Sequence, residues 1–227
     1  MLWTAIAEAI TPGFAAAASP LAIIVAVMFA SSPAGVKKSL PYAVGFFVAL
    51  ATVATLVLLA SNAVADAAPD SEGSQGRIWL KFILGLVFFV LAVTAYRKRP
   101  REGEEPKPPK LLAALDKMSI GKVFGLGVIF GIMPKDLAFS LTAGTDVGAV
   151  NVPFAAQLTA TVVYGLIGMV GVLAPSLVVM LRPAQAKRIL SDSRVYLTAN
   201  QSTIMILLYS FMCVKQLSAS IGPLFGG

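Results

Sequence analysis

The residues best placed to do chemistry are Pro134, Lys135 and Asp136, within Gly131-Ile132-Met133-Pro134-Lys135-Asp136-Leu137-Ala138-Phe139. Lys122 is the nearest charge before them and Asp146 the nearest after, so two full charges sit inside a long apolar run. Proline removes an amide donor and clashes with the carbonyl four residues back, at Phe130, so a helix kinks or breaks there. A mid-helix Lys or Asp costs roughly 2.5–3.5 kcal/mol in lipid. Along a helix Lys135 lies about 20 Å from Lys122 and about 16 Å from Asp146, a long way for its ammonium to snorkel out. A stretch carrying all three penalties should face protein or water, which makes it a candidate functional site. The competing reading is a snorkelling lysine neutralised by its neighbour. Lys135 has the chemistry to attract an anionic sulfate, phosphate or carboxylate. Asp136, desolvated beside a cation, feels opposing pushes on its proton affinity; titrating near neutrality, it would couple transport to protons.

The surrounding elements must be membrane helices. The chain has 227 residues, of which 57% are hydrophobic and 13% charged, with a mean hydropathy of +0.83. Those values describe an integral membrane protein. Six apolar spans can be marked, at about 6–30, 39–61, 78–96, 121–143, 153–181 and 200–221, each long enough for a bilayer core of roughly 30 Å. No Lys or Arg precedes Phe14-Ala15-Ala16-Ala17-Ala18-Ser19 and Glu8 is acidic, so this segment is expected to be the first membrane helix rather than a cleaved signal. Fourteen of the 18 basic residues fall in the loops after spans one, three and five. The positive-inside rule puts those loops in the cytoplasm and both termini outside. The expectation is an all-α integral membrane protein of six transmembrane helices in two inverted three-helix repeats, N-out and C-out, with helices 1 and 4 broken by proline. Residues 1–96 and 121–227 would be the repeats and 97–120 a basic cytoplasmic linker. The absence of histidine excludes histidine-ligated metals and histidine acid–base catalysis. The single Cys213 excludes an internal disulfide. No cofactor, nucleic-acid partner or enzymatic step is expected.

An internal echo supports the repeat. Ser19-Pro20-Leu21-Ala22 in span one answers Pro134 to Ala138 in span four, and Pro41-Tyr42 opens span two as Pro153-Phe154 opens span five. Paired broken helices point to a transport site near the midplane, and each proline would free a carbonyl, at Ala16 and Phe130, to face a cavity. In span five, Gln157, Thr161, Tyr164, Gly168 and Gly171 form one helical stripe. It reads as a packing seam or as a substrate-lining face. With Gly165, its glycines would permit either a homodimer contact or an internal one. Asn200 and Gln201 start span six, with helix capping as the simple role. Lys215, late in that span, would snorkel outward, or pair with Asp136 or a lipid anion. Residues 62–77 are small, polar and acidic and read as a mobile loop, and 97–110 as an extended linker. Residues 111–118 and 183–197 read as short surface helices whose basic residues suit anionic lipid head groups.

The chain resembles the GAP/Sap family of peptidoglycolipid- and sulfolipid-addressing proteins, within the LysE exporter superfamily. The resemblance runs over nearly the whole chain, through Ser19-Pro20-Leu21-Ala22-Ile23-Ile24, Tyr42-Ala43-Val44-Gly45-Phe46, Trp79-Leu80-Lys81, Arg99-Pro100-Arg101-Glu102-Gly103-Glu104-Glu105-Pro106, Gly121 to Gly127, Pro134-Lys135, Ala174-Pro175 and Val214-Lys215. The family typically carries Asn-Pro-Lys-Asn in span four, whereas this chain has Met133-Pro134-Lys135-Asp136. The resemblance implies a multi-pass inner-membrane exporter that assists glycolipid translocation toward the cell surface, alongside a larger lipid transporter. Within the superfamily the alternatives are an exporter of amino acids or other small solutes, or a non-transporting assembly partner. The candidate substrate or coupling residues are Ser19, Pro20, Pro134, Lys135, Asp136, Gln157, Tyr164, Asn200 and Lys215.

Overall fold

The computed structural model describes residues 2–67, 71–99 and 118–225. Among them all regular structure is helical: α1 (Leu2–Ala17), α2 (Pro20–Ser31), α3 (Val36–Ala67), α4 (Ser71–Arg97), α5 (Ile120–Gly131), α6 (Pro134–Gly148), α7 (Phe154–Leu181) and α8 (Pro183–Phe225). Helices α3, α4, α7 and α8 are each long and apolar enough to cross a membrane. The pairs α1–α2 and α5–α6 pass the same test jointly but bend by 61° and 66°. Among the described residues this makes four to six candidate spans, which supports a multi-pass membrane protein. Large apolar side chains such as Trp3, Leu181, Leu207 and Val214 stand on the outside of the bundle, where lipid meets them.

The two bends have one cause. Pro20 and Pro134 each occupy the first turn of the second helix in the pair, where a missing amide costs nothing. The residue before a proline is pushed out of the helical region. Ser19 and Met133 are accordingly extended, with ψ of 102° and 149°. The carbonyls of Ala16 and Phe130 are not left without a backbone donor. Each accepts the amide three residues on, Ser19 N at 3.2 Å and Met133 N at 3.3 Å, so a tight turn reclaims what the proline frees.

Helix α3 packs on α5, α6 and α7, α1 packs on α6 and α7, and α4 runs along α8. In lipid, close backbone approach replaces the hydrophobic effect as the driving force for helix contact. A Cβ on Gly127 would stand 2.1 Å from the Tyr42 carbonyl oxygen and one on Gly45 2.2 Å from that of Phe124, so α3 and α5 touch backbone to backbone. A Cβ on Gly171 would meet the Ala17 carbonyl at 1.9 Å. The glycines of α7 thus serve the seams of α7 with α1 and α3, within the chain, rather than a dimer face.

Three boundaries differ from expectation. Residues 62–67 and 71–77 are helical, as the ends of α3 and α4, rather than a loop. The surface helix and the last span merge into the 43-residue α8, because nothing between Leu197 and Thr203 breaks a helix. Helix α3 begins five residues before Pro41, at Val36. The expected 111–118 surface helix lies outside the described residues apart from Met118, as does most of the linker.

Candidate functional site

The two helix breaks lie side by side, and this places the candidate residues. Lys135, at the second position of α6, sends its Nζ across to donate to Ser19 Oγ at the other break and to Asp136 Oδ2 beside it. Asp136 is fully buried, and its second oxygen, Oδ1, has no hydrogen-bond partner among the described residues. Its place in the first turn of α6 sets the carboxylate against the positive helix end, which favours it. The Lys135 side chain is 12% exposed, so of the two side chains only that of Lys135 meets open space.

That space is a cavity of about 430 Å³ between α2, α4, α6 and α8. Leu21, Leu91 and Met205 line it with Thr94, Lys98, Met133, Lys135, Thr198, Gln201, Ser202 and Tyr209. Lys98 lies one residue past the end of α4, and Thr198 lies within α8. Tyr209 adjoins a stacked pair, Phe88 and Phe139, with ring centroids 5.6 Å apart, and lies 6.1 Å from Phe139. A larger hollow of about 580 Å³ lies between the end of α2 and the start of α8, lined by Lys187 and Arg194. It reaches no buried charge, so the smaller cavity is the better candidate.

Ser19, Pro20, Pro134, Lys135 and Asp136 are brought together as expected. Tyr164 stands one step away: its hydroxyl is 2.9 Å from Ser140 Oγ, one turn beyond Asp136 on α6, and both groups are buried. Behind them Tyr42 donates to the Ala22 carbonyl at 3.3 Å and holds the start of α2.

Three expected residues belong elsewhere. Gln157 accepts from Asn62 Nδ2 at 2.8 Å and donates to the Val150 carbonyl at 3.0 Å, clamping α7 to the end of α3. Thr161, on the same stripe, bonds Thr55 at 2.9 Å, so the stripe is a seam. Asn200 neither lines the cavity nor caps a helix. It sits within α8 and donates to the Tyr196 carbonyl one turn back. Its neighbour Gln201 lines the cavity instead, because consecutive residues point about 100° apart.

Lys215 pairs with Asp146 at 2.8 Å, not with Asp136. Asp146, which follows the expected end of span four at residue 143, is on α6 and only 2% exposed. Its other oxygen takes Lys81 of α4 at 3.1 Å, and Lys215 also approaches Glu8 of α1 at 3.5 Å. This second charged centre ties α1, α4, α6 and α8 together about 15 Å along α6 from the first. A signal for it existed: Lys81 opens span three, Asp146 follows span four and Lys215 lies late in span six, which an alternating topology puts on one side. Nothing in the sequence signalled Ser140, Ser202 or Tyr209, which reach the site only through packing.

A search of curated proteins and a search of solved structures each gave no match. The family described as Sap, sulfolipid-1-addressing protein, matches over residues 10–222, nearly the entire length, and the chain belongs to that family.

Proposed function

We propose that this protein is an inner-membrane exporter that assists the passage of anionic lipids or glycolipids toward the cell surface by alternating access. Two inverted three-helix halves, residues 1–96 and 121–227, would rock about the Lys135–Asp136 centre, with the basic loops in the cytoplasm. Paired packing supports the halves: α1 crosses α7 as α5 crosses α3, and α4 runs against α8. A proline break in each half fits the transport-site pattern of discontinuous helices. Placement within the LysE superfamily agrees with this arrangement. The proposal assigns the chain no chemical step.

One observation carries the reading. A fully buried carboxylate pairs with a lysine whose side chain lines a cavity. The pair is nearly neutral as a unit, yet only its basic member lines the cavity. An anionic head group entering beside Lys98 and the hydroxyls of Thr198 and Ser202 would complete the ammonium's donors. The charge cluster at Asp146 would hold the far end shut meanwhile. Release there would require Lys81 and Lys215 to let go of Asp146. Asp136 is positioned to take a proton during the cycle, which would supply coupling.

The test is the double variant Lys135→Met with Asp136→Asn, which removes the site's charge without stranding either partner. Surface lipid relative to total lipid should fall to the level of a deletion strain, with the variant still present in the membrane. Unchanged surface lipid would remove the proposal.

Cavity size favours a second reading. About 430 Å³ suits an amino acid or one head group rather than a whole diacyl glycolipid. An exporter of small solutes would give altered tolerance to toxic amino-acid analogues in the same variant, with surface lipid unchanged.

A further inference from the structure

The antiparallel pair α4–α8 is a wall with two unlike faces. The face toward Lys135 carries Thr94 of α4 and Lys98 just past its end, with Thr198, Gln201 and Ser202 of α8. The opposite face carries a groove of about 460 Å³, lined by Phe89, Val93 and Tyr96 of α4 and by Ile206, Cys213 and Val214 of α8. Arg97 lines that groove while Lys98, the next residue, lines the inner cavity. Consecutive residues point about 100° apart round a helix, so the end of α4 offers one cation to each face. Both side chains are exposed, and neither is in an ion pair among the described residues. Arg99 adds a third cation, stacked at 4.3 Å over Tyr96.

We infer that the α4–α8 wall is a lateral portal for a membrane-borne anionic amphiphile. Its acyl chain lies in the outer groove while its head group passes round the end of α4, from Arg97 to Lys98 and on to Lys135. The inference rests on the reading that Lys135 takes an anionic head group, and deepens it. The inner cavity is too small for the chains of a lipid. The groove supplies a separate apolar bed for them, one helix away, with a cation at its end. Charge complementarity fixes the occupant: a groove meant only for neutral acyl chains has no use for Arg97 at its mouth. The groove residue Val214 is 66% exposed, so it faces lipid and not the bundle interior.

The experiment uses the full chain in phosphatidylcholine nanodiscs doped with photoactivatable phosphatidylglycerol, with the diazirine either on the acyl chain or on the head group. The acyl probe should label Phe89, Val93 and Ile206, and the head-group probe Met133 and Tyr209. Unlabelled phosphatidylglycerol should compete; phosphatidylcholine and inorganic phosphate should not. Arg97→Gln should lower groove labelling about fivefold at low salt, as expected for one basic residue near a membrane surface. Val214→Trp fills the groove from the lipid side and should abolish both patterns. Lys135→Met with Asp136→Asn should lose only the head-group label. Acyl labelling spread evenly over all lipid-facing helices, or insensitive to Arg97→Gln, overturns the portal. Head-group labelling at Met133 that survives Val214→Trp also overturns it, while leaving the Lys135 reading intact. Competition by inorganic phosphate would show a soluble anion site and overturn the lipid route.

Discussion

Neutralising one member of the Lys135–Asp136 pair should damage the protein more than neutralising both. Asp136 is fully buried, and Oδ1 is already without a partner, so Lys135 is its principal compensation. Removing one partner of a buried pair typically costs about 3–5 kcal/mol, because a charge is left uncompensated. Adding Asp136→Asn to Lys135→Met deletes that charge. What remains is the loss of neutral-equivalent hydrogen bonds, including the one to Ser19, at about 1–2 kcal/mol. The double variant should therefore be more stable than Lys135→Met alone by about 2–3 kcal/mol, a strongly non-additive cycle. For a chain of this size that is a Tm difference of roughly 4–12 °C. Thermal unfolding of the purified variants in one detergent gives the four corners of the cycle. Surface-lipid profiling of the same variants should show export lost in both. An additive cycle, or a single variant as stable as the parent, would falsify the claim that Asp136 is sealed from water and sustained by Lys135.

Three further outcomes follow from the same structure. Asp146→Asn strips both Lys81 and Lys215 of a buried carboxylate and should cost about 2–4 kcal/mol by the charge-assisted bonds lost, whereas Glu8→Gln, at an exposed 3.5 Å contact, should cost under about 1 kcal/mol; equal effects in thermal unfolding would disprove the ranking. Gly127→Ala places a Cβ against the Tyr42 carbonyl, so it should cost about 1–3 kcal/mol or more, while Gly121→Ala, with open space around it, should be neutral or stabilising in the same assay. Tyr164→Phe leaves buried Ser140 without its hydroxyl partner and should cost about 1–3 kcal/mol; if Tyr164 also supports the Asp136 centre, the export rate per folded molecule should fall, and an unchanged rate would confine Tyr164 to packing.

Much of this protein was legible as a string of residues. Apolar length and charge spacing gave the membrane helices, because hydrocarbon admits no unpaired backbone and few charges. Proline marked both breaks, at Pro20 and Pro134, but only the tertiary structure tells these from Pro12, Pro41 and Pro175, which lie inside α1, α3 and α7 without ending them. Lys135 and Asp136 stood out because each is expensive where it lies. Partnership was not legible. Charges of opposite sign in different spans can pair in many ways, and only packing sent Lys215 to Asp146 rather than Asp136. Polar residues at span ends read equally as caps, loops or linings; Asn200 and Gln201 differ by one position, and the rotation of α8 turned one outward and the other into the cavity. The role of Gln157 likewise depended on which helix came to face it. The sequence determined where the costs lie, because those are local to each residue. The tertiary structure decided what offsets them, because hydrogen bonds and ion pairs act over about 3 Å, between helices whose contacts no short stretch of chain encodes.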